Sequence, residues 1–206
     1  MTSIRSTLVG PDYFIGLDLG QASDYSAVAV LERPAQKCQE AGEQRPVYSL
    51  RYLRRYALGT PYTRIVPAVA RLASSDLLQG CTLAVDQTGV GRPVVDLLRQ
   101  APMTARIVPI TITGGQVVTV TEDGSYHVPK KDLVSSLQLL LQSQRLKMSR
   151  SMPEADYLVQ ELANFRVRIT AAAHETFGAW REGQHDDLVL AVALAAWLAE
   201  REHPGR

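Results

Sequence analysis

The sequence predicts a mixed α/β fold: an antiparallel three-stranded meander, then parallel strands alternating with helices, the sheet flanked by helices and carrying one extra β-hairpin. Three observations predict it. YFIGLDLGQASDYSAVAVL (13–31) reads as two apolar strands joined by the turn formers Gly20 to Asp24. Between residues 60 and 110 the pattern becomes helix, buried strand, helix, buried strand, the rhythm of parallel strands with helical crossovers. HDDLVLAVALAAWLAERE (185–202) is one apolar, alanine-rich helix whose small side chains let it press onto a sheet.

The 206 residues suit one sizeable domain with a full core. Residues 1–12, with Gly10-Pro11 and no periodicity, read as a mobile lead-in, and 13–206 as a single domain. A net charge of +1 supplies no global attraction to nucleic acid. The distribution is more informative. Six arginines (45, 51, 54, 55, 64 and 71) and no acidic residue lie between 45 and 75, and seven basic residues against three acidic ones between 99 and 150. Cys38 and Cys81 form neither a metal-ligand spacing nor a disulfide framework. No signal peptide opens the chain, and the longest apolar run, 188–199, is too short to cross a bilayer. A cytoplasmic setting with no membrane partner is the expectation.

Taken in order, a third strand follows at 47–56, with Tyr48, Leu50, Tyr52 and Tyr56 on one face and Ser49, Arg51 and Arg55 on the other. Thr60-Pro61 opens a helix carrying Ile65, Val66, Val69, Leu72 and Ala73 and ending at Gly80; Pro67 requires a later start or a kink. A buried strand at 81–85 runs into DQTGVG (86–91), followed by a helix at 93–101 and a strand at 105–110. No Gly-Lys-Ser/Thr triplet occurs anywhere, which argues against a motor ATPase. QVVTVTEDGSYHV (116–128), with its turn at Asp123-Gly124, is a second hairpin expected to project from the sheet. A helix after Pro129 carries Leu133, Leu137, Leu140 and Leu141, 146–148 suits an edge strand, and the helix after Pro153 carries Leu158, Leu162 and Phe165. Residues 166–183 are ambiguous, with 166–170 read as extended.

Chemistry gathers at acidic positions that break apolar patterns. Asp18 interrupts the first strand between Leu17 and Leu19; it either caps a turn or pairs with a cation, since an unpaired buried carboxylate is costly. Asp86 ends a central strand, at the sheet edge where α/β folds bind ligands. Asp186 and Asp187 start the last helix, where acidic residues suit the dipole but where burial makes spare carboxylates expensive. Oxygen donors alone suit Mg²⁺ or Mn²⁺. Two such ions about 3.5–4 Å apart suit phosphodiester hydrolysis. Successive helical residues point about 100° apart. The stripe through Asp187, Ala191, Leu194, Ala195 and Leu198 holds more alanine than that through Asp186, Leu190, Ala193 and Trp197, which favours Asp187 as the residue facing the sheet, with His185 as a cap. Lys130 and Lys131, at a helix start the dipole does not favour, are either solvated or meet phosphates. With Arg51, Arg55, Arg92, Arg145 and Lys147 they are the candidate DNA contacts.

Four segments in order, DLGQASDYSA (18–27), VDQTGVG (85–91), VPKKDLV (128–134) and HDDLVLA (185–191), resemble the nuclease domain of phage terminase large subunits, which has the RNase H-like fold. The resemblance spans most of residues 13–199. It implies metal-dependent endonuclease action on double-stranded DNA, as in viral genome packaging and termination, leaving a 5′-phosphate and a 3′-hydroxyl; the absence of any recognisable base-reading module adds the expectation of little sequence specificity. It also implies Asp18, Asp86 and Asp187 as catalytic metal ligands, Asp24 and Asp186 as supporting carboxylates, and two Mg²⁺ or Mn²⁺ ions. The 116–128 hairpin resembles an element beside the DNA path, and a separate packaging ATPase or portal is the implied partner. Two rival readings stand beside it. One is a non-catalytic DNA-binding or assembly module that kept the fold. The other is a fragment of an actin-like ATPase or kinase, suggested by FIGLDLG (14–20) and opposed by the absence of a second glycine-rich phosphate hairpin.

Overall fold

A computed structural model of the chain describes residues 10–20, 24–35, 45–89, 92–169, 175–179 and 185–202. The hairpin β1 (Asp12–Asp18) and β2 (Ala27–Arg33) forms as the pattern predicts, and β3 (Tyr48–Arg55) completes the antiparallel meander. Helix α1 (Tyr62–Ala73) crosses over to β4 (Thr82–Asp86), and α2 (Arg92–Gln100) to β5 (Arg106–Thr113). After β6 (Thr119–Val120) and β7 (Tyr126–Pro129) come α3 (Lys130–Gln142), β8 (Leu146–Met148) and α4 (Ala155–Asn164). A separate two-stranded antiparallel sheet, β9 (Phe165–Ile169) with β10 (Glu175–Ala179), precedes α5 (Asp187–Arg201).

The main sheet has eight strands in the order β6-β7-β5-β4-β1-β2-β3-β8. Strands β4, β5 and β7 run parallel to β1, so Asp18, Asp86 and Pro129 end on the same edge. One face holds Ile15, Leu17, Val28, Val30, Leu83 and Val85 against α1 and α2. The other packs Phe14, Ala27, Ala29, Leu31, Ala84, Val108 and Ile110 against α3 and α5.

Helix α5 is central to that second layer. Gly16 lies in register with Ala29 on one side and Ala84 on the other, a floor with almost no side chains. A Cβ built on Gly16 would collide with the Ala191 carbonyl oxygen and the Ala195 nitrogen, so the helix backbone rests on the strand. Leu188, Leu194 and Leu198 are buried around this seat, each contributing about 1.5–3 kcal/mol by removal from water.

Several local expectations are corrected. The β2–β3 register shifts between Val30 and Leu31, where Tyr52 and Leu50 are their partners, leaving Arg51 as an extra residue. The bulge switches faces: Tyr48 and Leu50 pack on the α5 side, while Tyr52 and Tyr56 join the α1 side. Helix α1 ends at Ala73, followed by a 3₁₀ turn at Asp76–Leu78. It accommodates Pro67 on its exposed side, where water can serve the carbonyl that loses its partner. The 116–128 hairpin does not project freely, because β7 pairs with β5 and only the short β6 lies beyond it. In α3, Val134 is buried and Leu141 is exposed. Residues 1–9 of the lead-in, 21–23 of the first turn, Cys38, residues 90–91 of the 86–91 segment, and 170–174 and 180–183 of the ambiguous region lie outside the described residues. No helix among the described residues is long and apolar enough to cross a membrane.

Candidate metal centre

Asp18 follows the even phase of β1 set by Phe14 and Gly16, and therefore points toward α5 rather than α1. Asp86, in phase with Ala84 on the adjoining parallel strand, takes the same side. Asp187 opens α5 above them, four residues before the Ala191 carbonyl that rests on Gly16. All three are buried, at 7%, 7% and 4% exposure. Backbone pairing, strand phase and helix seat thus bring together residues separated by 169 positions along the chain (187 less 18).

Their electrostatics are those of unmet negative charge. Asp18 is pushed well above the usual carboxylate range, first by burial and then by Asp86, Asp187 and Asp186, with Lys130 pulling weakly back. Burial also raises Asp86, partly offset by hydrogen bonds from Thr88, whose backbone N–H donates to Asp86 Oδ1 at 2.7 Å. Asp187 is raised to about 6, again by burial first, against the lowering effects of His185 and Arg55. Its Oδ2 is buried without a hydrogen-bond donor among the described residues; His185 Nδ1 stands 3.7 Å away. Lys130, whose Nζ pairs with Asp186 Oδ2 at 2.9 Å, lowers the pKa of both Asp18 and Asp86.

Oxygen-only donors, burial and an orphaned carboxylate oxygen fit a hard divalent cation. Among the described residues no three acidic, His or Cys side chains close around one point, so the cluster converges without forming a cage. Asp24, by contrast with the three, is exposed. Gly20 N–H donates to Ser26 Oγ at 3.1 Å and Gly20 packs against the carbonyls of Asp24 and Tyr25, a closure that leaves the Asp24 side chain exposed. His185 is not the cap: Asp186 is the N-cap residue, and the His185 ring meets Tyr25 edge-on at 4.5 Å between centroids.

The candidate DNA contacts separate. Lys130 and Lys131 begin α3 beside the carboxylates, Lys131 reaching the Gln116 side chain. Arg92 is exposed at the start of α2, 3.8 Å from Asp123 of the hairpin turn. Arg55 lies at the same sheet edge but is committed to Glu161, between the rings of Tyr25 and Tyr157. Arg51 pairs with Glu32 on the sheet surface, and Lys147 is exposed on the edge strand β8. Arg145, expected at the surface, is instead buried, with two nitrogens on Glu200 at 2.8 and 2.9 Å and a third bond to the Pro46 carbonyl.

Sequence reasoning missed Glu161. This buried residue of α4 accepts from the Leu188 and Val189 N–H groups at 3.0 and 3.1 Å. It sits within the apolar stripe of Leu158, Leu162 and Phe165, where a charged residue carries the same signal that singled out Asp18.

No family model matches the chain. The large terminase subunit of Thermus phage G20c is 27% identical over 186 residues, which is 89% of this chain and 31% of that protein. This chain thus spans about a third of the length of the curated relative it matches. The crystal structure of the G20c large terminase nuclease with bound magnesium superposes with a TM-score of 0.64 at 25% identity, over 90% of this chain and 80% of that one. The manganese-soaked, inhibitor-bound terminase nuclease domain of human cytomegalovirus gives 0.56 at 15% identity, over 96% and 86%. In sequence and in its RNase H-like fold, this chain is similar to the nuclease domain of phage large terminases.

Proposed function

We propose that the chain is a divalent-metal-dependent endonuclease that hydrolyses phosphodiester bonds of double-stranded DNA with little sequence preference, in phage genome packaging or termination. The observation that carries this reading is the convergence of buried Asp18, Asp86 and Asp187 with one orphaned oxygen, and with Lys130 only partly offsetting the charge on Asp18 and Asp86. Asp18, Asp86 and Asp187 would hold Mg²⁺ or Mn²⁺, with Asp186 as a supporting carboxylate shared with Lys130. Two ions are the expected number for this set. When bound, they supply charge stabilisation for the phosphodiester transition state and a more acidic water. The protein's share is positional. The sheet fixes Asp18 and Asp86, α5 fixes Asp187, and Lys131 and Arg92 present positive charge along the same edge to orient a phosphate backbone.

Residues 13–206 would form the nuclease unit, acting in the cytoplasm of an infected or lysogenic cell beside a packaging ATPase or portal. The G20c nuclease with magnesium and the cytomegalovirus nuclease soaked with manganese support the choice of ion. Incubation of purified protein with supercoiled plasmid and Mn²⁺ or Mg²⁺ tests the reading. Nicked and linear products with 5′-phosphate ends are expected. If plasmid stays intact at high protein concentration while a control nuclease cuts, the isolated chain is a DNA-binding or assembly module instead.

A further inference from the structure

The first turn of α5 has backbone donors that need acceptors. In a helix whose N-cap is aspartate, the side chain ordinarily accepts from the N–H groups two or three residues on. For α5 the N-cap is Asp186, and those donors belong to Leu188 and Val189. Asp186 takes neither, and turns instead to Lys130 at 2.9 Å. Both N–H groups donate to one oxygen of Glu161, Oε2. Glu161 comes from another helix, is buried, and has its second oxygen against Arg55 at the end of β3.

We infer that Glu161 is a positioning residue for the metal centre: by capping α5 from α4, it keeps Asp186 from folding back onto its own helix and leaves that carboxylate facing Lys130 and the aspartate cluster. A single Asp186 side chain cannot serve the helix and the site together, and the external cap removes the competition. Arg55 is the ion-pair partner of the far oxygen of Glu161, so the carboxylate that caps α5 does not enter the site as an unpaired charge. The inference rests on the nuclease reading, since the benefit of freeing Asp186 lies in metal binding.

Calorimetric titration of Mn²⁺ into the metal-free chain, alongside urea unfolding, tests it on wild type, Glu161→Gln, Glu161→Ala, Asp186→Ala and the Glu161→Ala/Asp186→Ala double variant. Loss of a supporting residue around a metal weakens binding by about 10- to 100-fold. Glu161→Ala is expected to lose that much, Asp186→Ala about the same, and the double variant no more than either. Glu161→Gln keeps an oxygen acceptor and should bind Mn²⁺ close to wild type. In urea, the double variant should lose more than the two single losses combined, because Asp186 takes over the cap once Glu161 is gone. Wild-type affinity in Glu161→Ala, multiplied penalties in the double variant, or failure of Glu161→Ala to fold would each overturn the inference. If wild type itself binds no Mn²⁺, the nuclease reading fails, and additive urea losses would then overturn the cap exchange separately.

Discussion

The two ends of α5 handle buried charge in opposite ways. At its carboxyl end the buried charges among the described residues are partnered. Glu200 accepts from Arg145 through both oxygens and from the Tyr48 hydroxyl at 2.8 Å. Arg33 donates to the Ala199 and Glu202 carbonyls at 3.1 and 3.2 Å while pairing with Asp12. A cation there satisfies the last turn's carbonyls and suits the dipole. At its amino end, Asp187 joins Asp18 and Asp86 with one oxygen unserved. Burial raises Glu200 too, yet Arg145 and Tyr48 outweigh it and its carboxyl is held below the usual range; no comparable pairing offsets burial at Asp18. One end is built for stability. The other tolerates instability, held in place by the Gly16 seat and the apolar packing of the helix.

The sharpest way to break this comparison is to neutralise an aspartate at the amino end. Asp187→Asn should abolish plasmid cleavage, and Asp186→Asn should leave a measurable residue, with both proteins folded by circular dichroism. Asp187 is buried against the sheet, whereas Asp186 is partly exposed and engaged by Lys130. Equal loss would make both full ligands, and the reverse order would assign the leading role to Asp186. Metal-free Asp187→Asn should also be no less stable than wild type, since it removes like-charge repulsion.

At the carboxyl end the expected outcome inverts. Arg145→Ala leaves half-buried Glu200 without its main partner, and the loss should fall below the roughly 3–5 kcal/mol of breaking a fully buried pair. Urea unfolding should show that loss, while cleavage per folded molecule stays unchanged. A drop in specific activity without a drop in stability would return Arg145 to the DNA-contacting set.

What was legible in the sequence follows the same division. Asp18 could be singled out because a carboxylate inside an apolar strand violates a period of two, and the alanine-rich stripe of α5 indicated which aspartate faces the sheet. The Arg145–Glu200 pair could not be read, because it joins residues 55 positions apart whose local surroundings are polar. The face assignment of β3 failed for a related reason: one extra residue at Arg51 reverses the alternation, and a bulge has no reliable local signature. The Asp18–Asp86–Asp187 convergence itself depends on strand order, which the motifs suggested only through family resemblance.

A pH series sharpens the contrast in the metal-free protein. The folded-state pKa values of Asp18, Asp86 and Asp187 are raised above the unfolded carboxylate value of about 3.9. The folded state therefore holds their protons more tightly, and the stability they contribute is complete below about pH 3.9. It is lost as pH rises, through about 6 for Asp187. Glu200, with its pKa lowered, behaves oppositely: its contribution is present above its unfolded value and lost as pH falls through its folded one. Urea midpoints measured in chelator between pH 4 and 7 should fall more gently for Asp187→Asn than for wild type. Parallel curves would mean that Asp187 already carries its charge without penalty.

The smallest effect concerns DNA binding, and it separates two adjacent lysines. Each phosphate neutralised by a lysine contributes roughly 0.9 to the magnitude of the slope of log K against log salt on duplex DNA. Lys131 is half-buried and, among the described residues, reaches only the neutral Gln116, so its charge is available to a phosphate. Lys130 is already paired with Asp186 and lies 5.9 Å from the centre of the Phe165 ring, so much of its charge is spent inside the protein. Fluorescence anisotropy with a labelled duplex in chelator, repeated over a range of KCl, should therefore give a slope shallower by about 0.9 for Lys131→Ala. Lys130→Ala should change it less, and reversing both charges should flatten it most. Equal effects of the single substitutions would mean that DNA opens the Lys130–Asp186 pair and draws Lys130 onto a phosphate. An unchanged slope in both would move the DNA path away from the start of α3, toward the exposed Arg92 and the hairpin turn it faces.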